Sequence, residues 1–165
     1  MIDDARLQRE LNRLTGWARF RAFTWLKMPS AAFVGLRLDK VDDESCETSI
    51  SGGWRSQNPF KTMYWAAQGM AAELATGVYP FAASQASQHG LRMFVIGTEA
   101  EFVKRAKGRI RFVCEDIAAT RAAIDETLAS GESVDIDLAA IGYDSEGEIV
   151  SRWVFKWNFR AREKR

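Results

Sequence analysis

The chain has 165 residues, 47% of them hydrophobic and 27% charged, with 23 basic and 22 acidic side chains for a formal net charge of +1. That suits one domain with a substantial core, and it supplies no global attraction for nucleic acid or an anionic membrane. The charged start Met1-Ile2-Asp3-Asp4-Ala5-Arg6 has no signal-peptide core and no apolar run is long enough to span a bilayer, so the expected location is the cytoplasm.

Leu7, Leu11 and Leu14 fall at helical spacing between an acidic start and Gly16, which predicts an N-terminal helix over 3–14. The aromatic-rich run from Trp17 to Leu26 continues as a second helical piece until Pro29. Residues 1–30 are thus expected to form a helical segment packed on a main domain of residues 31–165. Runs at 32–38 and 44–50, separated by Asp39-Lys-Val-Asp42-Asp43, predict a β-hairpin. Cys46 and Cys114 lie in separate strand-like segments without metal-ligand spacing, so buried free thiols are expected.

A long helix is predicted next, with Asn58 as N-cap, Pro59 in the first turn and Gly77 as the stop. On a helical wheel Phe60, Met63, Tyr64, Ala67, Met70, Ala71 and Leu74 share one arc, and the opposite arc carries only Lys61 and Glu73 as charges. A helix so poor in charge is expected to be covered on most sides. Its polar groups Asn58, Thr62, Gln68 and Glu73 are then either satisfied structural residues or parts of a site.

Phe81 to Gly90 reads as a loop. Strands follow at 91–103, with Phe94, Ile96, Ala100 and Phe102 on one side, and at 109–114, the two joined by a turn at Lys107-Gly108. An inserted helix is predicted over 117–128. The last hairpin, 134–143 and 149–159 about Asp144-Ser-Glu-Gly147, alternates Trp153, Phe155, Trp157 and Phe159 with Arg152, Lys156, Asn158 and Arg160.

Two strands, a long helix and four more strands with a helix inserted make an α+β pattern. Together with Asn58-Pro59-Phe60, the stretch from Ala66 to Gly77, Glu101 to Gly108, and Asp144-Ser-Glu-Gly147 with Trp153-Val-Phe-Lys-Trp157, it resembles an uncharacterised bacterial family of the hotdog-fold, thioesterase-like superfamily. The resemblance implies a curved antiparallel sheet wrapped around a central helix. It also implies a homodimer or dimer of dimers, with an acyl thioester of coenzyme A or acyl carrier protein held in a tunnel at the dimer interface. Many such thioesterases open the helix with a His-Gly-Gly element, and Asn58-Pro59-Phe60 stands in its place here.

On that reading the chain hydrolyses an acyl thioester, or binds one without catalysis. Asn58 or Gln68 would orient the attacking water, Glu73 would act as base, and the amides of Phe60, Lys61 and Thr62 would hold the carbonyl oxygen. Tyr64, Trp65, Met70 and Met93 would line the tunnel, while Lys104, Lys107 and Arg109 would meet phosphates at its mouth. Each has an ordinary alternative: a cap for Asn58, a backbone bond for Gln68, an ion pair for Glu73 and a solvated hairpin end for the cations. Coenzyme A would enter only as part of the substrate. His89 has no ligand or triad partner at useful spacing, so neither metal nor triad is expected.

Overall fold

The computed structural model describes residues 2–87 and 90–162; His89 and residues 163–165 of the basic tail lie outside them. The chain is α+β, with a six-stranded antiparallel sheet in the order β1-β2-β4-β5-β6-β3. No helix is long and apolar enough to cross a membrane.

Helix α1 (Asp4–Thr15) starts where Asp3 accepts a hydrogen bond from the Arg6 amide, and buries Leu7 and Leu11. Helix α2 (Trp17–Lys27) follows, and then α3 (Pro29–Val34) takes up the start of what was expected to be the first strand. Pro29 suits a first helical turn and Gly35 closes the helix at φ 79°, so Ala31 and Ala32 are buried on a helix. Strand β1 is therefore displaced to Arg37–Val41, into the expected linker, and pairs with β2 (Cys46–Ser51). Asp42 makes the shorter turn possible, because its Oδ1 accepts from the amides of Glu44 and Ser45, both at 2.9 Å.

The long helix α4 runs Trp65–Ala86, well past the expected stop and into the expected loop. Gly77 does not end it. A Cβ on Gly77 would lie 3.2 Å from the Trp157 ring, and one on Gly69 would lie 3.3 Å from Trp153, so both glycines admit indoles from the sheet. Eight helical residues rise about 12 Å, and four strand residues span about 13 Å. The two glycines therefore keep step with the two tryptophans. The covered face holds Ala67, Gln68, Ala71, Ala72, Ala75 and Thr76, which is rotated from the expected arc; Phe60 and Tyr64 are exposed.

Strand β3 (Leu91–Phe102) is an edge strand paired with β6 (Ile149–Ala161). It does not form a hairpin with β4 (Arg109–Cys114) as the sequence suggested; β4 lies between β2 and β5 (Val134–Tyr143). The link between them is tied elsewhere, through Val103 N–H to Val150 O and Met63 N–H to Ala106 O. A bulge between Val95 and Gly97 shifts the β3 register, placing Phe94 opposite Asn158 and Ala100 and Phe102 opposite Trp153 and Ser151. The extra residue exchanges the two faces, so Phe94 does not share a side with Phe102 as the simple alternation predicted.

Helix α5 (Ile117–Ser130) and the β5–β6 hairpin match their expected positions, with Gly147 at φ 81° in the turn. Cys46 and Cys114 are direct partners across β2 and β4, both buried as free thiols. Burial pushes both thiols up, Cys114 to about 11, which leaves them poor nucleophiles.

Candidate site at the start of the long helix

Asn58-Pro59-Phe60 builds a turn ahead of α4 rather than its first turn. The Asn58 Oδ1 accepts from the Phe60 amide at 3.0 Å, the Thr62 amide at 3.2 Å and the Thr62 hydroxyl at 3.1 Å. Its backbone oxygen takes the Lys61 amide at 3.0 Å, and Lys61 is held at φ 58°. The three amides expected to hold a carbonyl oxygen are thus already bonded within the turn. An Asn-Pro pair before an apolar run is equally the signature of a side-chain-stapled turn, which explains the misplaced helix start.

Tyr64 is the actual N-cap and offers no side-chain bond. Among the described residues, the Trp65 and Ala66 amides have no intramolecular acceptor, while those of Ala67 and Gln68 donate to Tyr64 O at 3.0 and 3.2 Å. Two free donors therefore stand at the positive end of the helix. A groove of about 590 Å³ opens there, lined by Asn58, Phe60, Thr62, Tyr64, Trp65, Gln68, Phe102, Lys104 and Arg105 among others. It brings together most of the residues that the sequence singled out.

Gln68 is buried at the base of this groove. Its Oε1 accepts from Ser151 Oγ at 3.1 Å, Ser151 accepts the Trp153 indole N–H at 3.0 Å, and the Gln68 Nε2 donates to Met63 O at 3.4 Å. Ser151 was not singled out from the sequence, although it shares the inward side of β6 with Trp153, Phe155 and Trp157. Phe102 meets Trp153 edge-to-face, with ring centroids 5.5 Å apart, and closes the wall.

Glu73 does not reach this groove within one chain. It lines a separate apolar cavity of about 240 Å³ with Met70, Leu74, Met93 and Trp157, and desolvation there raises its pKa above the ordinary value of 4.5. Among the described residues no cation pairs with it.

The expected phosphate-binding cations are divided. Lys104 pairs with Asp144 at 2.6 Å and with Glu148. The Asp144 hydrogen bond, aided by that of Glu148, raises the Lys104 pKa, and the same ammonium lowers that of Asp144. Arg109 spans β4 to β2 and β1 by donating to Ser49 Oγ at 2.8 Å and Asp39 Oδ1 at 2.7 Å. Lys61 and Lys107 are exposed, and Arg105 is exposed on the groove wall beside Lys104. Asp144, Glu146 and Glu148 cluster at the β5–β6 turn, where Lys104 already neutralises part of their charge.

Residues 16–159 match the family model described as Domain of unknown function (DUF4442). No curated protein matches the chain in sequence. A protein of unknown function from Pseudomonas aeruginosa, described as a probable thioesterase, is similar in structure with TM-score 0.74 and 22% identity, covering 86% of this chain and 93% of its own. A protein of unknown function from Chlorobaculum tepidum TLS gives TM-score 0.73 at 16% identity, covering 98% of both chains. A thioesterase from Haemophilus influenzae gives TM-score 0.64 at 8% identity, covering 90% of this chain and 92% of its own. At these identities the likeness is one of fold.

Proposed function

The chain belongs to the DUF4442 family, and from that premise we propose a hotdog-fold, thioesterase-like protein that takes an acyl thioester at the start of α4. The observation that carries this reading is the groove lined by Trp65, buried Gln68 and an apolar wall of Phe60, Tyr64 and Phe102, at the helix start where the Trp65 and Ala66 amides are free among the described residues. Two backbone donors at a helix dipole suit the oxygen of a thioester carbonyl as negative charge develops on it. The apolar wall suits the start of an acyl chain, and Arg105 at the mouth suits a phosphate of coenzyme A. The thioester is the substrate in this reading, and no resident cofactor is invoked.

The proposed reaction is attack of water on the thioester carbonyl, with Glu73 of a second subunit taking the proton. The C–S bond then breaks, and the thiolate leaves and is protonated. Exposed Phe94 and Ile96 on edge strand β3, whose outer backbone groups have no strand partner among the described residues, support a homodimer joined at that edge, or a dimer of dimers. A second reading is binding without catalysis. It is favoured by the commitments of Asn58 Oδ1 and Gln68 Oε1 to internal donors.

The test is hydrolysis of acyl-CoA across several chain lengths by wild type, Asn58→Ala, Gln68→Ala and Glu73→Gln. Turnover lost in Glu73→Gln supports the enzyme. Acyl-CoA binding without turnover in wild type assigns the binding module, and absence of both rejects the site.

A further inference from the structure

The N-terminal helices enclose a second space that shares no lining residue with the groove at the start of α4. Its inner part is the apolar cavity of about 240 Å³ walled by Met70, Leu74, Val78, Met93 and Trp157. Its outer part is an open groove of about 860 Å³ rimmed by Arg6, Arg13, Arg19 and Lys27. Leu14, Phe20, Phe23 and Phe81 line both, so the two parts meet at these four side chains.

The charge at the rim is not spent inside the chain. Arg13 reaches Glu10 only at 3.7 Å on an exposed turn, and among the described residues the side chains of Arg6, Arg19 and Lys27 have no acidic partner. Four cations against one carboxylate is a marked local excess in a chain of net charge +1. The inner cavity lies below the roughly 300–1,000 Å³ of drug-sized sites, which suits an alkyl chain better than a ring system. We infer that α1, α2 and α4 form a binding site for a single-chain anionic amphiphile, its chain in the inner cavity and its head group among Arg6, Arg13, Arg19 and Lys27.

Charge complementarity selects the occupant. A neutral chain would gain only apolar burial, and a hydrophilic anion would gain only screened contacts at the rim. A carboxylate or phosphate joined to a chain gains both. The site stands apart from the groove at the start of α4, and the residues it shares with the thioester reading, Met70, Glu73 and Met93 in the cavity wall, are left unchanged by its test.

The test is calorimetric titration of the full chain with decanoate, decanoyl lysophosphatidylglycerol and decanol, each kept below its micelle threshold. Arg19→Glu/Lys27→Glu alters exposed positions only, and its circular dichroism shows whether the fold is kept. The expected result is binding of at least one anionic ligand, weakened tenfold or more by the double reversal while decanol is unaffected. Binding of decanoate assigns a free carboxylate, and binding of the lysolipid alone assigns a phosphate head. Amide shifts in the NMR spectrum should move at Phe20, Phe23 and Phe81. No binding by either anion, binding indifferent to the charge reversal, or shifts confined to Trp65 and Gln68 would overturn the inference.

Discussion

Trp157 donates its indole N–H to the Thr76 hydroxyl at 3.0 Å, and the same ring fills the space where a side chain on the next residue, Gly77, would begin. The pattern occurs again two turns earlier, where Gln68 joins the Trp153 indole through Ser151 and Gly69 makes room for the ring. A polar residue followed by glycine thus docks each tryptophan of β6 on α4.

Gly77→Ala is therefore expected to destabilise the chain despite better helix propensity. The substitution gains about 0.5–1 kcal/mol locally, whereas overpacking a buried ring costs roughly 1–3 kcal/mol. Urea unfolding should show a lower midpoint, and Trp157→Phe in the same chain should recover part of it. Equal losses in the two backgrounds would mean that the ring contact is not the cause.

Gln68→Ala removes the acceptor for a buried Ser151 hydroxyl, and an unsatisfied buried group costs about 1–3 kcal/mol. Stability should fall accordingly, and Gln68→Ala/Ser151→Ala should fall by less than the sum of the single changes. If Gln68 also serves catalysis, thioester turnover will drop in Gln68→Ala while the Ser151→Ala chain keeps it. The two measurements separate the residue's structural and chemical roles.

The last four elements of the chain were the most legible, because Ile110, Phe112 and Cys114 and the tryptophans of β6 alternate cleanly and Gly131 and Gly147 sit where a cap and a turn need them. The start of α4 misled because the amides bonded by Asn58 mimic a cap, and its end misled because Gly77 and Pro80 are ordinarily stops. Gly77 answers to Trp157, a contact 80 residues away in sequence that no local pattern contains. The bulge at Ile96 is equally invisible to a period-two reading, yet it decides that Phe102 belongs to the site. Residues of the candidate groove were recognised as polar groups on an uncharged helix, whereas Ser151 and the Trp65 and Ala66 amides required the fold.

Glu73 predicts a pH dependence with a definite sign. Its folded pKa is raised by desolvation above 4.5, so its contribution to stability is fully present below that value and is lost as pH rises through the higher folded pKa. Glu73→Gln should flatten the decline in Tm on the alkaline side of 4.5 and match or exceed wild type at neutral pH. A steeper decline in the variant would mean that the ionised carboxylate has a stabilising partner.

The turn before α4 should respond oppositely at two neighbouring positions. Asn58→Ala removes an oxygen that accepts three hydrogen bonds, and should lower Tm and speed proteolysis between residues 57 and 63. Lys61 sits in the left-handed region, which costs a residue with a side chain about 1 kcal/mol, so Lys61→Gly should be neutral or stabilising there. Destabilisation by Lys61→Gly in a melt would assign the lysine side chain a contact of its own.

Lys104 and Arg105 are adjacent in sequence and both line the groove, yet their surroundings predict different effects on a phosphate-bearing ligand. Lys104 is held by Asp144 and Glu148, so most of its charge is already matched and Lys104→Ala should chiefly loosen the β5–β6 turn. Among the described residues Arg105 has no such clamp, and Arg105→Ala should weaken coenzyme A thioester binding several-fold at low salt. The difference should shrink as salt shortens the Debye length from about 30 Å at 0.01 M to about 8 Å at 0.15 M. An acyl thioester of N-acetylcysteamine, which lacks phosphates, should bind wild type and Arg105→Ala alike. If that neutral ligand is also lost, the arginine shapes the groove wall instead of meeting a phosphate, and the mouth of the site lies elsewhere.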